Sequence, residues 1–207
     1  MQRDDQATAL PEGAQRVSAR LAELGHPHAP VMLADSARTA QDAADALGVE
    51  LGQIVKSIIF RRRSDNAAVL VMTPGDRRVD ETKVAFKVGE LTRADAAFVK
   101  ESTGFSIGGV SPVAHAHPGV ELIDTELFRF DEIWAAAGHP HAVFRLTPDD
   151  LIRLTGAPVA DVTAQRPSGG PVSVIPPPPA IVRSAVQVAI HRQNGCPAGS
   201  RQTRTSA

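Results

Sequence analysis

The sequence has almost nothing from which to build a covalent framework: one cysteine, Cys196, in 207 residues. A disulfide scaffold and a cysteine-rich zinc site are therefore excluded, and a reducing compartment fits. Tyrosine is absent, tryptophan occurs once and aromatics make up 4%, so the core has to be aliphatic. No apolar run approaches the roughly 20 residues of a membrane span. Met1–Glu12 is polar and lacks the apolar segment of a secretory signal. The expected location is the cytoplasm, with no membrane partner. Charge of one sign is lacking too. The net charge is -1, so general attraction to DNA or RNA cannot carry the function, and any RNA contact must be local.

What is present is a supply of Val, Leu, Ile and Ala; hydrophobic residues make up 43%. The length suits one domain with a sizeable core and is too short for two comfortable ones. That domain is expected over residues 10–163. Val17, Leu21 and Leu24 recur at helical spacing within Gly13–Leu24. Val31–Ala34 reads as a short strand. Asp35 and Ser36 offer caps for a helix through Leu47, with Ala40, Ala43 and Ala44 on one face. Ile54–Arg61 and Ala67–Met72 read as strands joined by a polar hairpin loop at Arg62–Asn66. Helices are expected at Asp80–Lys87 and Arg93–Thr103. Strands are expected at Val120–Asp124, Phe130–Ala136, Ala142–Leu146 and Val159–Val162. Thr147 caps a helix at Pro148–Thr155, with proline in its favoured first position.

Strands and helices mix without strict βαβ alternation. The expected fold class is α/β in the α+β sense: a mixed, barrel-like sheet surrounded by helices, not a doubly wound parallel sheet. Beyond Thr163 the composition changes to Pro, Gly, Ser and scattered arginine, with no acidic residue. Residues 164–207 are expected to be a disordered tail.

Two features stand out chemically. Lys56 interrupts the apolar run Ile54, Val55, Ile58, Ile59. Spacing alone favours a side chain on the wet face of a half-buried strand; the other reading is a cation on the floor of a pocket. The loop Gly108-Gly109-Val110-Ser111-Pro112 lets another molecule approach its backbone and could aim N–H groups at a ligand oxygen. It is equally an ordinary glycine turn. No Walker loop and no Gly-x-Ser-x-Gly elbow is present. His115, His117, His139 and His141 form two close pairs, without acidic residues at zinc-motif spacing. Each, like His26 and His28, reads as a loop residue in water. Asp124, Asp131, Asp149 and Asp150 read as caps, turns or surface.

Together these segments form a pattern. Leu47-Gly48-Val49 leads into Gly52-Gln53-Ile54-Val55-Lys56-Ser57-Ile58-Ile59-Phe60. Arg77–Asp80 introduces a helix, Thr103–Pro112 supplies the glycine loop, and Trp134-Ala135-Ala136-Ala137-Gly138 follows. In order and spacing the chain resembles the YbaK/EbsC family of prolyl-tRNA-editing and aminoacyl-tRNA deacylase domains. The resemblance covers about Gly13 to Thr163 and not the tail. It implies a trans-editing hydrolase that cleaves the ester of mischarged aminoacyl-tRNA, usually tRNA for proline, without a cofactor or metal. Lys56 matches the family's key lysine, and Gly108–Pro112 match its Gly-x-x-x-Pro loop. The resemblance also implies substrate contacts from Ala40, Ala43 and Ser57, and a looser one from His139. The implied partner is the 3′ acceptor end of an aminoacyl-tRNA, with a synthetase as a further docking partner. A non-catalytic binder of aminoacyl ends or amino acids is the alternative, and a histidine-based metallohydrolase a third.

Overall fold

Strand β2 (Ile54–Arg62) organises the fold. The computed structural model describes residues 10–33 and 39–164, all within the unit Met1–Ser168. The expectations for the tail lie outside the described residues, as do those for Ala34, Asp35 and Ser36. Among the described residues there are five α-helices and one mixed eight-stranded sheet.

β2 pairs antiparallel along most of its length with β3 (Ala68–Pro74), Val55 opposite Pro74 through Arg61 opposite Ala68. Its other edge is divided. At one end Ile54 and Val55 pair parallel with β6 (Ile133–Ala136). At the other, Phe60, Arg61 and Arg62 pair with β4 (Leu91–Arg93). Between these anchors, residues 56–59 have no strand partner on that edge among the described residues. The sheet runs outward from β6 to β7 (Ala142–Leu146) and β1 (Val31–Met32), and from β3 to β5 (Val120–Asp124) and β8 (Val159–Ala160).

Because strand side chains alternate between faces, each central strand feeds two cores. Val55, Leu70, Met72, Ile123 and Ala135 enter the main cluster. There they meet Ala14, Val17 and Leu21 of α1 (Glu12–Glu23), Val99 of α4 (Ala96–Thr103) and Leu151 and Leu154 of α5 (Pro148–Thr155). The opposite face carries two smaller clusters. Val69, Val71 and Phe60 pack with Val84 of α3 (Glu81–Val88), while Ile54 packs with Ala43 and Ala44 of α2 (Ala40–Leu47). Each fully buried aliphatic side chain of this kind contributes about 1.5–3 kcal/mol.

Several boundaries differ from expectation. α2 starts at Ala40, where Thr39 and Asp42 make a reciprocal capping box. The segment read as one helix from Arg93 is two elements. Asp95 accepts a hydrogen bond from the Phe98 amide and starts α4, which leaves Leu91–Arg93 free to pair with β2. β6 starts at Ile133 rather than Phe130, because Asp124 caps a 3₁₀ turn, Thr125–Arg129, that delays the strand. β8 ends at Ala160. Beyond it Asp124, fully buried, accepts from the Val162 amide at 3.0 Å and holds that segment by a side chain instead of a ladder.

Candidate functional site

The alternation along β2 turns Val55 into the main core and Lys56 to the other face, in line with Ile54 and Ile58. Lys56 therefore stands between the cluster under α2 and the cluster under α3. Its Nζ donates to the Arg77 carbonyl at 2.6 Å. Half-burial lowers its pKa from the usual lysine value; the Asp76 carboxylate works against that shift, and Arg78 adds to it. The carbonyl is itself well fixed. Arg77 donates to Glu126 at 2.5 Å, and Arg129 bridges Glu126 and Asp76. The lysine reading that spacing favoured is corrected: the side chain lies half-buried in a cleft rather than on an open wet face.

The cleft encloses about 290 Å³, near the lower end of small-ligand sites. It opens where the edge of β2 is unpaired. Ile54 to Ile58 form one wall; Ala40 and Ala43 of α2, with its cap Thr39, form another. Gly108 and Val110 approach from the loop, and Ala136, Pro140 and Val143 complete the lining. The walls are mainly apolar. The polar groups are the Lys56 ammonium, the Thr39 cap and the Ser57 hydroxyl, which is buried without a hydrogen-bond partner among the described residues.

The loop owes its position to its glycines. Gly108 has φ +88°, a conformation that L side chains adopt at a strain of about 1–2 kcal/mol. Gly109 lies against the backbone of His139, where an added Cβ would stand 2.8 Å from the carbonyl carbon. The Gly109 amide donates to the Ser106 carbonyl at 3.0 Å. The amides of Gly108 and Val110 have no acceptor among the described residues. Ser111 is fully buried and turned away from the cleft, its hydroxyl accepting from the Val113 amide. Pro112 is buried beside it.

Of the residues expected at the site, the structure brings together Lys56, Ser57, Ala40, Ala43, Gly108 and Val110. Gly109, Ser111 and Pro112 stand behind the lining. His139 is also outside it: its backbone supports Gly109, and its Nδ1 accepts from the His141 amide at 3.2 Å. Sequence reading missed Thr39, Pro140 and Val143, and missed Arg77 as the partner of Lys56. Only the capping-box spacing at Thr39 carried a local signal. Among the described residues no group of three His, Cys, Asp or Glu side chains could hold a metal ion. His26 corrects the expectation of a water-exposed loop histidine. It is 7% exposed, bonds the Arg145 carbonyl at 2.8 Å and packs on Phe144.

The site is thus a small, mainly apolar cleft at a split in a mixed sheet, lined by one cation, Lys56, and by Gly108 and Val110 of the glycine loop. The model of the aminoacyl-tRNA editing domain family matches residues 34–154, and the chain belongs to that family. YwhH of Bacillus subtilis, whose role is uncharacterised, is 35% identical over 120 residues, covering 56% of this chain and 74% of YwhH. EbsC of Enterococcus faecalis, a candidate deacylase of Cys-tRNA(Pro) and Cys-tRNA(Cys), is 25% identical over 130 residues, covering 61% of this chain and 78% of EbsC. A crystal structure of a candidate trans-editing enzyme for prolyl tRNA synthetase superposes with a TM-score of 0.72. It is 43% identical and covers 76% of this chain and all of that one. Among the described residues no helix is long and apolar enough to cross a membrane.

Proposed function

We propose that residues 10–163 act in the cytoplasm as a trans-editing deacylase. The domain hydrolyses the ester between a small, wrongly attached amino acid and the 3′ adenosine of tRNA, the tRNA for proline being the favoured substrate. The observation that carries this reading is Lys56, half-buried and held by the Arg77 carbonyl, in a cleft that Gly108 and Val110 of the glycine loop also line. The chemistry needs no protein nucleophile. An aminoacyl ester is already activated, so position and charge stabilisation are the main requirements. Water, assisted by a ribose hydroxyl of the substrate, attacks the ester carbonyl carbon. The loop amides receive the developing oxyanion. The C–O bond to the ribose then breaks, and the ribose oxygen takes up a proton. Lys56 holds the terminal nucleotide. The Ser57 hydroxyl is a contact for the amino acid, and His139 acts by supporting Gly109.

Ala40 and Ala43 leave room for a side chain larger than that of alanine, branched or unbranched. Each methylene discriminates by only about 1–3 kcal/mol, so exclusion of proline has to be steric. The test is a deacylation panel of purified protein against alanyl-, cysteinyl-, 2-aminobutyryl- and prolyl-tRNA. Lys56→Ala is expected to lower kcat/KM by about 10²-fold; a variant as fast as wild type refutes the assignment. Tight binding of the acceptor end with no turnover in either protein would identify a non-catalytic sensor instead.

A further inference from the structure

Behind the loop, on the side away from the cleft, lies a partly buried histidine–carboxylate pair that the proposed reaction leaves unused. The His115 imidazole is within 2.6 Å of the Ser111 carbonyl through Nε2. Because a carbonyl only accepts, Nε2 must carry the proton. The other nitrogen, Nδ1, faces Glu121 of β5 at 3.6 Å. The side chains are 10% and 21% exposed. The Phe105 ring packs edge-on against the imidazole. Glu121 Oε2 is buried with no hydrogen-bond partner among the described residues. The connecting turn passes through Ala114 at φ +63°, a left-handed conformation uncommon for alanine. The charged groups around the pair are Arg16, Arg20 and Glu23 of α1 on the imidazole side, and Lys87 of α3, which lines a cavity with Glu121; His117, in its own loop, is exposed.

We propose that His115 and Glu121 are positioning residues: a proton relay that latches the Ser111 carbonyl, and with it the Gly108–Pro112 loop, while the relay holds two protons. A neutral imidazole carries one N–H but faces acceptors on both sides. With Glu121 protonated, the carboxyl can close the 3.6 Å gap and donate to Nδ1 while Nε2–H donates to Ser111. When Glu121 ionises, the imidazole N–H can serve only one oxygen. Either a lone pair faces Ser111 and the latch opens, or a lone pair faces the carboxylate and the pair is driven apart.

The electrostatics set this event near neutrality. Burial pushes the Glu121 carboxyl up to about 7. Burial pulls His115 below the usual histidine value, helped by Arg16 and opposed by the bond to Ser111. The imidazole therefore stays neutral while the acid gives up its proton. The latch is closed below pH 7 and loosens above it.

The effect on catalysis rests on the deacylase reading; the latch itself does not, so two measurements separate them. In the full chain, amide resonances of Gly108, Gly109 and Val110 are followed from pH 5.5 to 8.5. Wild type is expected to titrate with one midpoint near 7, and Glu121→Gln, whose amide always donates, to stay flat at the low-pH position. His115→Ala should sit at the high-pH position throughout, with His115→Gln partly restoring the latched one. A flat wild type, or the same titration in Glu121→Gln, overturns the latch. The deacylation rate of Glu121→Gln is then divided by that of wild type at each pH. The ratio is expected near one at pH 6 and to rise severalfold by pH 8.5. A constant ratio overturns the link to the reaction. Absence of turnover in both proteins refutes the deacylase, while the amide titration still decides the latch.

Discussion

Gly109→Ala tests the loop at its tightest point. The added methyl would stand 2.8 Å from the His139 carbonyl carbon, 2.9 Å from its Cα and 3.0 Å from its nitrogen. Carbon atoms pack best at about 3.5–4.0 Å, so the loop and the turn must separate by about 0.7 Å. The opposing atoms are backbone, and no rotamer change relieves them. Overpacking of this kind costs about 1–3 kcal/mol, and a domain of this size loses about 3 °C of Tm per kcal/mol. A misplacement of about 1 Å in a reacting constellation costs about 10²-fold in rate. Gly109→Ala should therefore stay folded, melt some degrees lower and lose at least about tenfold in kcat, with KM less affected. Gly108→Ala is the control: its methyl meets only Pro140, at 3.9 Å, so its cost is backbone strain rather than a clash. Thermal melting and single-turnover deacylation measure both variants. Full kcat in Gly109→Ala, or its rescue by His139→Gly, which leaves every opposing backbone atom in place, would refute the reasoning.

Three further outcomes are expected. Asp124→Ala strips acceptors from the amides of Val162 and Glu126 and should cost about 2–3 kcal/mol in denaturant unfolding; unchanged stability would remove the clamp assigned to it. Glu121→Gln should melt above wild type at pH 8. Burial pushes the folded carboxyl up to about 7 from the usual glutamate value of 4.5, so ionisation opposes folding as pH rises through this window, and the advantage should vanish below it. Ala43→Leu narrows the cleft from the α2 side and should shift the substrate panel toward alanine; equal loss on all substrates would show that Ala43 only packs helix on sheet.

The parts of the fold that the sequence reveals are those written locally. The cap at Thr147, the aliphatic spacing of α1 and the polar hairpin loop after β2 each sit within a few residues of the element they define. β4 escaped because three residues carry no period, and its identity as a strand depends on Arg61, some thirty positions away. The same division applies to the candidate site. Lys56 and the glycine loop are conspicuous in the chain. The Arg77 carbonyl under the lysine and the His139 backbone under Gly109 are main-chain groups, and no residue type announces them. His115 and Glu121 were legible only as a loop histidine and a strand acid. Their burial and mutual approach are tertiary facts.

The split edge of β2 also bears on how such a domain can change its specificity over time. Residues 56–58 line the cleft, yet their register is held by backbone pairing, through the seven pairs of β2 with β3 and the anchors at both ends of the opposite edge. Side chains in that window can be exchanged without unfastening the strand. In the proposed deacylase, selection for a new amino acid can therefore act on Ser57, Ile58 and α2, while the scaffold that keeps Lys56 and the loop in register is inherited unaltered.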